Sequence, residues 1–312
     1  MPYTNVLVTG SISRDDIMKF PKKFSDYLHK DKLHKISVSF VVKSLEKQLG
    51  GTGTNISYNL KLASNAEVLL LAGIGKDNED FFDFFKAQGI DTKGILVDNN
   101  LYTATGKVIT DIDENQIWGF YEGAAEKAKE IDLKKFKKEG SILVISPNHP
   151  DAFLETQRQA INLSIPFMYD PGMALTWIRD EDLKTGVERC TWLIGNEYEI
   201  EQIERRTGLG KKELEKANTI RITTRGVKGV KYESKKKTVE VPVCKVTVED
   251  PTGAGDAWRG GFLAGVLEEK PIEESLALGN ALSSFAVETC GTVNHKPTKQ
   301  EITERTKKIL ES

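Results

Sequence analysis

The residues best suited to chemistry lie in one run, Glu249 to Phe262, EDPTGAGDAWRGGF. Gly253, Ala254 and Gly255 have almost no side chain, and Asp256 follows them where a helical pattern of apolar residues begins. The first N–H groups of a helix lack intrahelical partners and, with the helix dipole, favour an anion. A turn of Gly253, Ala254 and Gly255 would let a phosphate approach that backbone closely. An aspartate beside an anion site repels the ligand unless it has a task. General base is a task that fits: Asp256 would take the proton of a hydroxyl as its oxygen attacks phosphorus. A plainer reading makes Asp256 a helix N-cap and the glycines a tight turn. Spacing alone leaves the two level.

Other elements must hold such a turn in place. NVLVTG (5–10), EVLLLAGIG (67–75), SILVISP (141–147), IPFMYDPG (165–172), TWLIGN (191–196) and TIRITTRG (219–226) read as buried strands ending in turn residues. TNISYNLKLAS, NEDFFDFFKAQG, DAFLETQRQAINLS and KKELEKAN have helical spacing. Strand–helix alternation predicts a parallel sheet covered on both faces, with ligands at the carboxyl ends of its strands. KISVSFVV (35–42) and TGKVITDIDENQIWGFY (105–121) alternate polar and apolar residues instead. They predict a small separate sheet with one wet face, a lid, the second stretch being a hairpin that turns at Asp113–Glu114–Asn115. EKAKEIDLKKFKKEG (126–140) and the terminal EITERTKKILES read as solvated helix faces.

Bulk properties exclude several classes. The 312 residues are 39% hydrophobic, enough for one large domain with a full core and a subdomain. A net charge of −2 gives no basic surface for nucleic acid. Cys190, Cys244 and Cys290 are far apart and odd in number, which argues against a disulfide framework. MPYTNVLVTG does not read as a secretory leader, and no apolar run approaches the roughly 18 residues of a membrane span, so a soluble cytoplasmic protein is expected. Asp111, Asp113, Asn115 and Glu122 stand at calcium-loop offsets, but Gln116 occupies the position that needs glycine. No GxxxxGK[ST] occurs, so any ATP site is not of the Walker type.

DPTGAGDAWRGGF resembles the second signature of the ribokinase-like (PfkB) kinases, D-T-x-G-A-G-D, here with one residue between Asp250 and Thr252. GGTGTNISYNLKLASNAEVLLLAGIGKD (50–77) resembles the first signature. GNEYE (195–199) is similar to N-x-x-E, TRGVKG (224–229) to T-x-G-x-x-G, and VLVTGSISRDDIM (6–18) to the opening strand with its sugar-binding aspartate. The matches stand in the family's order and cover nearly the whole chain. The resemblance implies a ribokinase-like α/β fold over 1–312: a mainly parallel central sheet, helices on both faces, and a small β-sheet lid from about 12–20, 35–49 and 101–122.

It also implies roles. Asp256 would be the base, and the N–H groups of Gly253, Ala254 and Gly255 the anion hole. Asp15, five residues beyond Gly10, would hold two sugar hydroxyls with Gly51 and Asn55. Asn196, Thr224, Gly226, Gly229 and Asn280 would bind ATP, and Glu199 would hold Mg²⁺ through water. Asp250 and Thr252 allow a monovalent cation, K⁺. ISVSFVVKSLEKQLGG, NQIWGFYEGAA and YDPG resemble the nucleoside-kinase branch, in which Trp118 and Phe120 would meet a base. The implied activity is ATP-dependent phosphorylation of a nucleoside 5′-hydroxyl, adenosine-like first. The rivals are a sugar kinase for ribose, fructose or a sugar phosphate, for which Arg14 is the one argument, and a catalytically idle ligand-binding relative. Partners would be the small substrate and ATP, with no nucleic acid and no membrane, in a monomer or a homodimer through the lid.

Overall fold

The computed structural model describes residues 3–28, 37–113 and 115–312. Its strands in chain order are β1 (Asn5–Thr9), β2 (Ser13–Lys19), β3 (Ser44–Gly50), β4 (Glu67–Ile74), β5 (Asp91–Val97), β6 (Ala104–Thr110), β7 (Gln116–Tyr121), β8 (Ser141–Ile145), β9 (Phe167–Tyr169), β10 (Trp192–Asn196), β11 (Ile220–Thr224), β12 (Val230–Glu233) and β13 (Thr238–Val241). The helices are α1 (Thr52–Ala63), α2 (Glu79–Gln88), α3 (Pro150–Asn162), α4 (Asp180–Arg189), α5 (Glu197–Thr207), α6 (Lys211–Ala217), α7 (Ala254–Leu267), α8 (Ile272–Val287) and α9 (Lys299–Leu310).

Two sheets result. The large one has the order β13-β12-β11-β10-β9-β8-β1-β4-β5. Its strands from β11 to β5 run parallel, and β12 and β13 form an antiparallel edge. The small one has the order β3-β2-β6-β7. Alternation along β1 explains why the large sheet is covered twice. Val6 and Val8 enter a core with Ile56, Phe81, Phe85, Trp258, Phe262 and Leu282, from α1, α2, α7 and α8. Leu7 enters the opposite core with Phe153, Leu183, Ile203 and Leu214, from α3 to α6. All five residues of β1 are buried, as an apolar run without alternation requires.

The six expected strands are present, each within a few residues of its expected bounds, and the hairpin is β6–β7. Two expectations need correction. The lid strand predicted over 35–42 is not there: residues 37–42 are not in a strand, and residues 35 and 36 lie outside the described ones. β2 is interior, paired with Ser44–Gly50 on one side and with β6 on the other, so 37–42 has no place beside it. Phe40 instead packs with Phe20, Phe24 and Tyr27. The stretch 126–140 is not a solvated α-helix face. Gly123–Glu130 is a 3₁₀ segment with Ala124, Ala125 and Ala128 buried. It lies so close to β4 that a Cβ on Gly73 would meet the Ala124 carbonyl at 2.2 Å. The predicted turn residue Glu114 lies outside the described residues, while Asp111 accepts N–H bonds from Phe24, Asp113 and Asn115. Its carboxylate thus organises the hairpin turn. Among the described residues, no helix is long and apolar enough to cross a membrane.

Candidate active site

The turn before α7 closes because Gly253 takes φ 77°, a left-handed conformation that glycine adopts without strain. A Cβ there would also press on Thr292 at 2.8 Å. Asp250 fixes the approach: Oδ1 accepts from the Thr252 N–H (2.9 Å) and Oδ2 from the Gly291 N–H (3.0 Å). Both oxygens of the residue expected near a cation therefore serve the backbone of two loops. Among the described residues, the N–H groups of Gly253 and Gly255 take no protein acceptor, but that of Ala254 points to the Pro251 carbonyl at 3.3 Å. Ala254 is thus drawn partly into the turn's own hydrogen bonding.

Asp256 follows in the first turn of α7 and is not its N-cap, which is Gly253. Its Oδ2 accepts from Nδ2 of Asn55 at 2.8 Å. Asn55 lies in the first turn of α1, whose N-cap is Gly51 at φ 94°. The other amide atom, Oδ1 of Asn55, is buried without a hydrogen-bond partner among the described residues. Burial is the main influence on Asp256 and raises its pKa; Arg259 and the Asn55 hydrogen bond act against it. Arg259 and its partner Asp170 were not singled out by sequence. Nε of Arg259 lies 2.6 Å from Oδ2 of Asp170, and both side chains are buried.

The lid supplies the other wall. Asp15 and Asp16 diverge, as neighbours in a strand must. Asp16 pairs with Lys107 at 2.7 Å. Asp15 faces a cleft of about 650 Å³ that it shares with Trp118, Gln48, Asp250 and Thr292. Gly106 stands between Asp15 and Trp118. A Cβ there would lie 2.7 Å from Oδ1 of Asp15 and 3.1 Å from the Trp118 ring, so only glycine lets the ring lean this close to the carboxylate. A glycine in mid-strand was the signal for this residue, and sequence reasoning passed over it. Burial, then the charge of Asp16, pushes the Asp15 pKa up to about 6. Phe120 pairs with Gly106 in register, on the same sheet face as Asp15 and Trp118. Arg14 turns away: it forks onto Asp80 at 2.6 and 2.8 Å and lies over the Phe81 ring.

The lid is tied to the α7 turn. The Thr292 hydroxyl donates to the Leu49 carbonyl (3.2 Å), and Nδ2 of Asn294 to Oε1 of Gln48 (2.7 Å). The same loop gives the Gly291 N–H to Asp250. A short strap thus runs from β3 to the turn before α7.

The remaining residues gather at the carboxyl ends of β10 and β11. Asn196 and Thr224 are register partners there. Asn196 caps α5 in a capping box: its side chain accepts from the Glu199 N–H (2.8 Å), and Oε2 of Glu199 accepts from the Asn196 N–H (2.7 Å). Oε1 of Glu199 accepts no hydrogen bond among the described residues. Gly226 and Gly229 take φ 54° and 87° in the turn after β11. Asn280 departs from expectation. It is 2% exposed, donates to the Val241 and Pro242 carbonyls, and accepts from the Trp258 indole. Its side chain holds the fold together and offers nothing to a nucleotide.

Against known proteins, residues 14–299 match the family described as pfkB family carbohydrate kinase. The chain belongs to this family. It is therefore a phosphotransferase acting on a hydroxyl acceptor. It is 30% identical over 287 residues to a nucleoside kinase of Methanocaldococcus jannaschii, covering 91% of this chain and 94% of the relative. The crystal structure of the M. jannaschii nucleoside kinase, described as an archaeal member of the ribokinase family, superposes with TM-score 0.86 at 26% identity, over 98% of this chain and 99% of the other. The Burkholderia thailandensis nucleoside kinase in complex with inosine superposes equally well, at TM-score 0.86 and 26% identity, over 98% of both chains. The pfkB chain described here thus has the ribokinase-like fold, a mainly parallel sheet plus a small separate one.

Proposed function

We propose that the protein transfers the γ-phosphoryl group of ATP to the 5′-hydroxyl of a nucleoside, adenosine first among them. One observation carries the nucleoside reading: Asp15 and the Trp118 ring stand side by side across Gly106 in one cleft. A carboxylate that accepts two ribose hydroxyls beside a ring that stacks on a base matches a nucleoside, whereas a free sugar has no use for the ring. The inosine complex of the Burkholderia relative supports the same class. Arg14, the residue that argued for a phosphorylated sugar, is committed to Asp80 and does not face the cleft.

The chemistry follows from the turn. Asp256 accepts the 5′-hydroxyl proton as that oxygen attacks the γ-phosphorus, and ADP leaves. The free N–H groups of Gly253 and Gly255 meet the charge gathering on the phosphoryl oxygens. Asn55 orients the carboxylate through Nδ2, and its unpartnered Oδ1 accepts from the substrate. ATP lies along the ends of β10 and β11, with Thr224, Gly226 and Gly229 beside its phosphates and Asn196 at the helix start. Mg²⁺ fits this set through water. Glu199 keeps Oε1 free, and no group of three ligating side chains occurs among the described residues, as suits a metal held mainly by phosphates and water. Bound there, it would neutralise charge on the phosphate oxygens.

The test is a panel of adenosine, inosine, cytidine, ribose and fructose with ATP–Mg²⁺, followed by product analysis. A nucleoside 5′-monophosphate as the main product is expected. Preference for a free sugar would overturn the reading.

A further inference from the structure

Arg259 is a buried cation with an unusual setting. It stands three residues beyond Asp256 on α7, hence on the same helix face. Its guanidinium folds back beneath the anion-binding turn: a Cβ on Gly255 would lie 2.7 Å from Nη1 of Arg259. Nε is in charge contact with Asp170 at 2.6 Å but out of line for a hydrogen bond, and Oδ1 of Asp170 has no partner. No Nη of Arg259 donates to a protein acceptor among the described residues. The groups that face this cation are Asp256 from its own helix, Asp170 from the end of β9, and Glu199 from α5, with the neutral Asn55 on Asp256 from α1. Among the described residues only Asp170 lies within ion-pair distance of the guanidinium; Asp256 and Glu199 act on it through space. Such a cation is costly to bury unless its position serves a purpose.

We propose that Arg259, anchored by Asp170, is a positioning residue for phosphoryl transfer: it sits under Gly255, keeps the turn's N–H groups in place, and holds the Asp256 carboxylate ionised and aimed. On this view Gly255 has two uses. It gives the phosphate access above and leaves room for the guanidinium below. The inference rests on the reading of Asp256 as base. Removing Arg259 would leave Asp256 with burial and only Asn55 to oppose it, so its pKa would climb and the base would stay protonated to higher pH.

The test compares Arg259→Gln, Arg259→Lys, and the double variant Arg259→Met with Asp170→Leu, each as full-length enzyme with ATP–Mg²⁺ and adenosine. Arg259→Gln should lower kcat by about 10- to 100-fold, the scale of a misplaced catalytic group. It should move the acid limb of the kcat/KM profile up by roughly one pH unit or more, and change nucleoside KM by less than about threefold. Arg259→Lys keeps the charge, so its acid limb should stay near native while kcat recovers in part. If Arg259→Gln fails to fold, the double variant decides, because an apolar pair can replace a buried ion pair without loss of stability. Its melting should be near native and its kcat low. Native kcat and a native acid limb in Arg259→Gln, or native kcat in the folded double variant, would overturn the proposal. So would a selective rise in ATP KM at unchanged kcat, which would make Arg259 a phosphate ligand. Asp256→Asn run alongside separates the two levels: full activity there removes the base itself, whereas an inactive Asp256→Asn beside a normal Arg259→Gln removes only this inference.

Discussion

Asp256→Asn keeps the shape of the side chain and its contact with Asn55 but cannot take a proton. Turnover should fall roughly 10²- to 10⁴-fold with nucleoside binding little changed, and a variant with near-native kcat would refute the assignment. Asp15 gives a second prediction, this time in pH. Its pKa is pushed up to about 6. Between the ordinary carboxyl value and about 6, the folded protein holds this proton and the unfolded chain has released it. Its contribution therefore lowers the stability of the ligand-free protein as pH rises through that window, and levels off above it. Substrate hydroxyls need the ionised form, so nucleoside KM should rise as pH falls below about 6. Asp15→Asn should abolish both slopes, whereas Asp16→Asn should abolish neither, since Asp16 faces Lys107. The choice of Asp15 over Asp16 was readable from its spacing to Gly10, because strand alternation sends neighbours to opposite faces. The pairing of Asp170 with Arg259 was not readable, because only tertiary packing brings them together.

Under the proposed function, the lid sheet is the element that would separate a nucleoside from a sugar. Trp118→Ala should raise nucleoside KM by about 5- to 150-fold, the worth of one base–aromatic stack, and leave ribose turnover nearly unchanged. Equal losses on both substrates would mean that the ring only packs the lid. Phe120→Ala is the control. It shares the sheet face but is not the ring that leans toward Asp15 across Gly106, so it should affect adenosine less than Trp118→Ala does. Gly106→Ala should act like a milder Trp118 variant, since its Cβ would displace Asp15, Trp118 or both. The β6–β7 hairpin was legible because period-two patterning and turn residues agree locally. The stretch 37–42 shares the patterning, but the place beside β2 goes to Ser44–Gly50 and Phe40 turns into an aromatic cluster, which no local window reveals. The same blindness affects 123–130, where alanines packed against Gly73 override a lysine-rich helical pattern.

At the scale of the whole molecule, β7 is an edge strand whose six residues are all exposed. Ile117, Trp118, Phe120 and Tyr121 are each more than 40% exposed. A long apolar edge of this kind invites pairing with a second copy. We expect a homodimer through the lid, and Ile117→Lys should shift the sedimentation coefficient to that of a monomer. A wild-type protein that sediments as a monomer at micromolar concentration would refute this. The strap of Leu49–Thr292, Gln48–Asn294 and Asp250–Gly291 has a thermodynamic corollary. It joins the lid wall to the turn before α7, so under the proposed function each ligand would bias the conformation that the other requires. Such coupling is reciprocal in binding free energy. Whatever factor a nucleoside adds to the affinity for a non-hydrolysable ATP analogue, the analogue must return to the nucleoside. Asn294→Ala should shrink both factors equally, leaving two sites that fill without regard to one another.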